Sequence, residues 1–518
     1  MRSILILITN IILKKEREIH MKHMKKIWAL LFAVIMMLAI GTTAMAYTVT
    51  INQNSADKGT HTYGAYQIFK GTLSSDGVLS NIEWGSGITE AGKTALGDAV
   101  AYAEAITNDT AAKTKAAELA RYLANPEKTG SDKIEDLEGG YYLIQDTVDP
   151  TGSLPSSKTK FILKVVKDTS VNVNVKSSVP SVEKKVQDIN DSDAALTLSD
   201  LQDSADYDIG DSIPYTITAT IGDGIGYYDS YSLQFVDTMS KGLTLDESSW
   251  DIKVGTKSIK NSFVLTSAAG ENGAKIWTWA AQNIKDEVLA NSKVVLTYNA
   301  TLNKDAVVGS AGNPNTVVLK YDNNPNDSGK GTPGGTTPPD TNIVFTYKVV
   351  FNKVDADEKA LTGADFKLEK KVNGTWTDVT TLGSGENKPT KAKDSLTSGG
   401  ATAANAKFTF SGLDDGEYKL TETTTPSGYN TIDPIVFTIT AEHDILSDSP
   451  VLISLNGTDG SEFTMTSSEG TLTANVVNKK GSTLPETGGI GTTIFYVLGS
   501  ILVLGAVILL VTRRRMSR

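Results

Sequence analysis

The sequence predicts a mainly β chain of tandem sandwich domains, exported and then held by its C-terminal end. Three observations carry this. Short runs of alternating apolar residues recur between turn residues from Tyr47 to Lys480, the pattern of strands that bury one face. Alanine-rich helical spacing interrupts them between Thr89 and Lys128. Longer apolar segments stand near both ends, Ile27 to Ile40 and Ile490 to Thr512. The length suits roughly two to four domains, and 40% hydrophobic with 21% charged residues is a globular balance. A net charge of -11 argues against a nucleic-acid partner, which would need a basic face. There are no cysteines, so covalent bracing would have to come from chemistry other than disulfides. Of four histidines, His61 and His443 lie outside the leader and far apart. They read as surface or turn residues, and neither a metal site, nor a cofactor, nor a Ser-His-Asp hydrolase is expected.

At the N-terminus, Lys22, Lys25 and Lys26 precede the apolar run, and Ala44-Met45-Ala46 fits a small-x-small cleavage site. Residues 1–46 read as a secretory signal peptide. Residues 1–20 carry a second apolar run and read as an untranslated extension before Met21 or Met24, with a long signal peptide as the alternative.

The first domain is expected over 47–178, a sheet with a helical insertion. Leu96, Val100 and Ala103 share one helical face, as do Ala116, Leu119 and Leu123, and Asn125-Pro126 stops the second helix. The run Leu137 to Asp146 resembles the E-box of pilin domains, with Asp146 where Glu is usual. No Lys/Asn pair accompanies it, so a structural strand without an internal crosslink is expected. The domain closes on Ser170-Val171-Asn172-Val173-Asn174-Val175-Lys176, a strand with one buried face. Lys176 leaving that strand resembles the lysine of the pilin motif, although Asn174-Val175 replaces the family's Tyr-Pro. The resemblance implies an amine that attacks another subunit; the alternative is a solvated lysine at a domain boundary.

Over 179–325, strand-like segments at Ser212 to Ile221, Ser232 to Val236, Lys293 to Leu302 and Thr316 to Tyr321 suit an immunoglobulin-like sandwich. Val182, Lys184 and Val186 share one face, which turns Lys184 inward. Asp237 lies in Phe235 to Thr244, and Asn315 is in phase with Val317, Leu319 and Tyr321, with Asn313 the alternative. These features resemble the isopeptide-forming (CnaA-type) domains of pilins. That resemblance implies a Lys184–Asn315 bond assisted by Asp237; the alternative is a Lys184–Asp237 surface ion pair. Gly222 to Gly226 reads as a turn and Asp188 to Asp193 as a solvated loop. Residues 326–342, rich in Asn, Pro, Gly and Thr, read as a linker.

The third domain is expected over 343–480. Phe351 and Lys353 share a face of its opening strand. Leu413-Asp414-Asp415-Gly416-Glu417-Tyr418-Lys419-Leu420-Thr421-Glu422-Thr423, then Pro426-Ser427-Gly428-Tyr429, resembles the E-box of CnaB-type domains almost without departure. Tyr418 and Leu420 share their face with Glu422, an expensive place for an unpartnered carboxylate. The closing strand ends at Asn478 before Lys479. The resemblance implies a Lys353–Asn478 isopeptide bond with Glu422 as the assisting acid; the alternative is a glutamate that caps a turn.

Residues 481–518 contain Leu484-Pro485-Glu486-Thr487-Gly488, the apolar run, then Arg513-Arg514-Arg515. About 23 helical residues reach about 35 Å, enough for a hydrocarbon core of ~30 Å, and the arginines hold the tail in the cytoplasm. This order resembles the LPxTG cell-wall sorting signal, in which a sortase cuts after the threonine and passes it to an amine. The alternative is a plain membrane anchor. Taken together the chain is identified as resembling the major (backbone) pilins of sortase-assembled Gram-positive pili. The resemblance implies polymerisation through Thr487 to Lys176 of the next copy. The partners it implies are a sortase, other copies of the chain, minor pilins, peptidoglycan and a host surface or matrix. A single wall-anchored adhesin and a minor tip or basal pilin are the competing expectations.

Overall fold

The computed structural model describes residues 46–152, 154–193, 197–327, 333–459, 465–481 and 490–516. The leader 1–45 and the pentapeptide 484–488 lie outside the described residues. In the first domain, Tyr47–Asn52 is paired in parallel with Ser170–Asn174 and antiparallel with Lys133–Leu137. Val49, Ile51, Val171 and Val173 from the first two of these fill one core. A second sheet runs in the order Leu79–Trp84, Tyr63–Leu73, Gly140–Asp146, Ile162–Val166. The alanine-rich stretch becomes three helices, Glu90–Leu96, Ala99–Glu104 and Asp109–Leu119, N-capped by Thr89, Asp98 and Asn108. They cover Ile68, Phe69 and Leu143 of this sheet.

The second domain packs two sheets face to face. One runs Ser181–Val186, Ser212–Thr220, Lys293–Leu302, Asp251–Val254; the other holds Ser204–Asp206, Asp340–Phe345, Asn313–Tyr321, Leu233–Met239, Lys275–Ala281 and Val264–Ala269 in that order. The expected linker 326–342 is corrected here. Asp340–Phe345 is a sheet strand, antiparallel to Asn313–Tyr321 and parallel to Ser204–Asp206. Only Thr346 separates it from Tyr347–Asp355, which opens the third domain. Backbone that reads as polar spacer is thus held by ladder bonds, and the two sandwiches follow each other almost without slack.

The third domain is a pair of sheets, Thr390–Ser398, Ala401–Leu413, Tyr347–Asp355, Thr471–Asn478, Met465–Ser468 against Thr375–Asp378, Asp365–Val372, Gly416–Thr424, Ile435–His443, Leu452–Asp459. Its first and last strands lie side by side in parallel, with Lys353 opposite Val476 and Asp355 opposite Asn478. The helix Ile490–Met516 follows. Its segment Ile494–Arg514 has mean hydropathy 2.8 and none of it is buried by protein, so its apolar surface is left for lipid. The Ser500 and Thr512 hydroxyls bond back to the carbonyls of Tyr496 and Ile508, as lipid-exposed hydroxyls must.

Polar groups join the domains. Lys370 is fully buried and its Nζ lies 2.6, 2.8 and 3.1 Å from Asp191, Asp208 and Asp414. Two of those acids belong to the second domain and one to the third, so the loop Asp188 to Asp193, expected to be solvated, is instead an interdomain contact. Of the two histidines expected at the surface, His61 is buried and His443 is half-buried with its ring turned inward. His443 reaches Asp206 at 3.3 Å and Ser204 Oγ at 2.7 Å. His61 lies between Asp146 at 2.8 Å and Asp57 at 3.1 Å. Burial alone would lower the His61 pKa, but the bonds to Asp146 and Asp57 outweigh it and hold it at about 9.

Two predictions follow from these contacts. Lys370→Met strands three carboxylates and should cost about 3–5 kcal/mol in the denaturant unfolding of the full chain, with new proteolytic cleavage near the second–third domain junction. His61 is protonated more readily folded than unfolded. Its stabilisation is therefore complete below its ordinary pKa near 6.5 and is lost as pH rises through about 9. Melting of the first domain should fall across that window, and His61→Gln should flatten the dependence.

Candidate crosslinking sites

In the second domain, alternation along Ser181–Val186 turns Lys184 into the sandwich, where it has no exposed surface. Its Nζ is 2.7 Å from Asp237 Oδ1 and 2.7 Å from the Tyr298 hydroxyl. The Tyr298 hydroxyl donates to Asp237 Oδ2 and accepts from Asn315 Nδ2 at 2.9 Å. Asn315 Oδ1 is buried without a partner. The Asn313 amide is instead taken up by backbone bonds. Its Oδ1 accepts from Val307 N at 2.8 Å, and its Nδ2 donates to the Val307 and Val344 carbonyls at 3.0 and 3.1 Å. Burial pushes the Lys184 amine down, with Asp237 opposing. Lys184, Asp237 and Asn315 are thus brought together inside the sandwich, not at its surface as an exposed ion pair. Sequence reasoning overlooked Tyr298. It is in phase with the buried Leu296 and Ala300, and a hydroxyl on a core-facing position was the available signal.

In the third domain, Lys353 is also fully buried, and Nζ donates to the Val476 carbonyl at 2.7 Å. Burial lowers its pKa to about 8 despite the nearby Glu422 and Asp355 carboxylates. Asn478 Nδ2 donates to both Glu422 oxygens, at 3.0 and 3.1 Å, and to the Asn430 carbonyl at 2.9 Å. Its Oδ1 has no partner. Glu422 Oε2 is held by Ile432 N at 3.1 Å and the Thr425 hydroxyl at 3.3 Å, so the carboxylate does more than cap its own turn. The second and third domains therefore each hold a desolvated amine, a carboxyl group and a carboxamide whose oxygen is unpaired. A neutral amine can attack such a carboxamide carbon while the acid delivers a proton to the departing nitrogen.

Lys176 is placed differently. It follows Ser170–Asn174, and its backbone N–H donates to Thr159 Oγ1 at 2.8 Å while its carbonyl accepts from Lys160 N at 2.8 Å. Its half-buried amine is lowered by burial and by Lys113, with Asp109 opposing. Thr159 N in turn donates to Asp146 Oδ2 at 2.7 Å. The acid at the E-box-like position thus runs through Thr159 to Lys176, with His61 on its other oxygen.

Comparison with known proteins agrees with this layout. Residues 209–325 match the Gram-positive pilin backbone subunit 2, Cna-B-like domain. Residues 347–448 match the prealbumin-like fold domain of SpaA, and 476–517 the LPXTG cell wall anchor motif. The trypsin-resistant surface T6 protein of Streptococcus pyogenes serotype M6 is 27% identical over 395 residues, 66% of this chain and 70% of that protein. The solved T6 backbone pilin of serotype M6 Streptococcus pyogenes, a modular three-domain structure, is similar in fold with a TM-score of 0.50 at 18% identity, covering 84% of this chain and 98% of that one. The full-length major pilin SpaD of Corynebacterium diphtheriae has a TM-score of 0.46 at 16% identity, over 85% and 98% of the two chains. These are families of structural subunits, not of enzymes, and the anchor motif places the chain on the cell wall. The chain thus carries a match to a Gram-positive pilin backbone domain over residues 209–325 and to a cell wall anchor motif over 476–517, and it is similar to a backbone pilin of Gram-positive bacteria.

Proposed function

We propose that this chain forms a pilus shaft in which Thr487 of one copy is joined by a sortase to Lys176 of the next, each copy being braced by Lys184–Asn315 and Lys353–Asn478 isopeptide bonds. Head-to-tail joining gives an open heterologous filament. Peptidoglycan or a basal pilin takes the Thr487 acyl group at one end, a tip pilin is joined to the free Lys176 at the other, and the filament presents the cell to host surfaces. The observation that carries the reading is the pairing of the third domain's first and last strands with Lys353 and Asn478 on them. A crosslink there closes the domain at the two ends through which a filament is pulled.

Tension in such a filament enters at Asn478, crosses to Lys353, runs back through Asp340–Phe345 to Asn315, and crosses again to Lys184 and Lys176. The strands between Lys353 and Asn478 and those between Lys184 and Asn315 lie outside that path, so pulling does not peel them apart; Asp340–Phe345 lies on the path and is held to Asn313–Tyr321 by ladder bonds.

Wall extracts should give a ladder that survives boiling in SDS and collapses to one band in Lys176→Ala. A single band in the wild type would favour an adhesin that acts singly. Intact mass should fall by about 17 Da, one ammonia, for each internal bond. Because the Lys353 amine must be neutral to attack, closure of the third domain should speed up with pH and level off above about 8. A rate independent of pH below that value would contradict the mechanism.

A further inference from the structure

The two candidate sites differ in how the acid reaches the nitrogen that must leave. In the third domain Glu422 touches Asn478 Nδ2 directly. In the second domain the acid is an aspartate, one methylene shorter. Its carboxylate contacts Lys184 Nζ and the Tyr298 hydroxyl, and Asn315 Nδ2 is bonded to Tyr298 instead. One hydroxyl oxygen therefore lies 2.7 Å from the attacking nitrogen and 2.9 Å from the leaving one. The Tyr298 ring is fixed between two others, stacked on Tyr215 at 5.3 Å and on Trp279 at 5.4 Å between centroids. Its oxygen is thus held by packing within reach of both nitrogens, and only its proton has to turn from Asp237 Oδ2 toward Asn315 Nδ2 once that nitrogen offers a lone pair.

We propose that Tyr298 is a catalytic residue of the second domain's crosslink, relaying a proton from Asp237 to the departing nitrogen of Asn315. This rests on the Lys184–Asn315 reading given above. Lys184 first passes a proton to Asp237 across their contact, leaving a neutral amine and a neutral acid. The Nζ lone pair attacks Asn315 Cγ and the carbonyl electron pair moves to Oδ1. Asp237 then gives its proton to the Tyr298 oxygen while the Tyr298 proton moves to Nδ2. The carbonyl re-forms, the Cγ–Nδ2 bond breaks with its pair on nitrogen, and ammonia leaves. The second proton lost by Nζ goes to Asp237, which ends protonated; Tyr298 ends as it began, and the third Nζ proton stays on the new amide.

The test is a time course of ammonia loss in freshly synthesised full chain, read by peptide mass spectrometry at both sites, for the wild type and Tyr298→Phe. Tyr298→Phe should slow closure of the second domain about 100-fold or more, while the third domain, the internal clock, closes at its wild-type rate. Equal second-domain rates in the two proteins would overturn the relay and leave the crosslink standing. No ammonia loss at the second domain of the wild type would overturn the crosslink, and the relay with it. A measurement on wild type alone covers a variant that fails to fold. With an additional proton in flight, the second domain should slow more in heavy water than the third, and equal slowing would count against Tyr298.

Discussion

Everything distinctive in this structure depends on two lysines being kept out of water. A buried ammonium is costly unless it is paired, and the sandwiches answer that cost differently from place to place. Lys370 keeps its charge, because three carboxylates face it. Lys184 has one acid within contact, and Lys353 donates only to backbone carbonyls, so burial drives both toward the neutral amine. The same desolvation that would be a defect in an ordinary core makes these two amines nucleophilic. In the proposed crosslinks an amide product would remove the titratable group altogether, so the reaction would relieve the cost of burial.

Where the two lysines sit matters as much as their state. Each is on the first strand of its sandwich, and each faces an asparagine on a strand close to the domain's exit. By loop closure, a bond spanning about 125 residues would restrict the unfolded chain by roughly 5 kcal/mol. The mechanical effect of the proposed bond would be larger, since a covalent link would stand in for rows of hydrogen bonds that shear in turn. The near-continuous backbone from Asp340–Phe345 into Tyr347–Asp355 extends this logic between the domains. It is backed by Lys370 and by Asn342, whose side chain donates to the Lys184 carbonyl at 3.1 Å.

The sequence made the strands and the reacting residues legible because period-two alternation reports which side chains face inward. Lys184, Lys353, Asn315 and Glu422 each fall in phase with apolar neighbours, so a polar group on a core face is visible without a structure. What stayed hidden depends on partners far away in the chain. Tyr298 looks like any core aromatic until strands carrying Lys184, Asp237 and Asn315 surround it. His61 and His443 look solitary because Asp146 and Asp206 reach them only through the tertiary fold. The stretch ending at Asn342 has a linker's composition, and the strand character of Asp340 to Asn342 comes from pairing with Asn315 to Val317.

The first domain departs from the pattern of the other two, and the proposed filament supplies a reason. Tension from a neighbouring copy enters at the Lys176 side chain and leaves toward Lys184, so residues 47–175 hang to one side of the path. A domain that carries no load has no need of a covalent clamp. What it must do is present one amine in a fixed place, with its pKa drawn down by partial burial. A network of ordinary strength is enough for that: His61 holds Asp146, Asp146 holds Thr159, and Thr159 holds the backbone of Lys176. Asp146 at the E-box-like position is therefore consistent with the rest of the chain. It keeps the acid where the fold puts one, and in the proposed filament that acid would position the lysine that joins subunits instead of closing a bond within one.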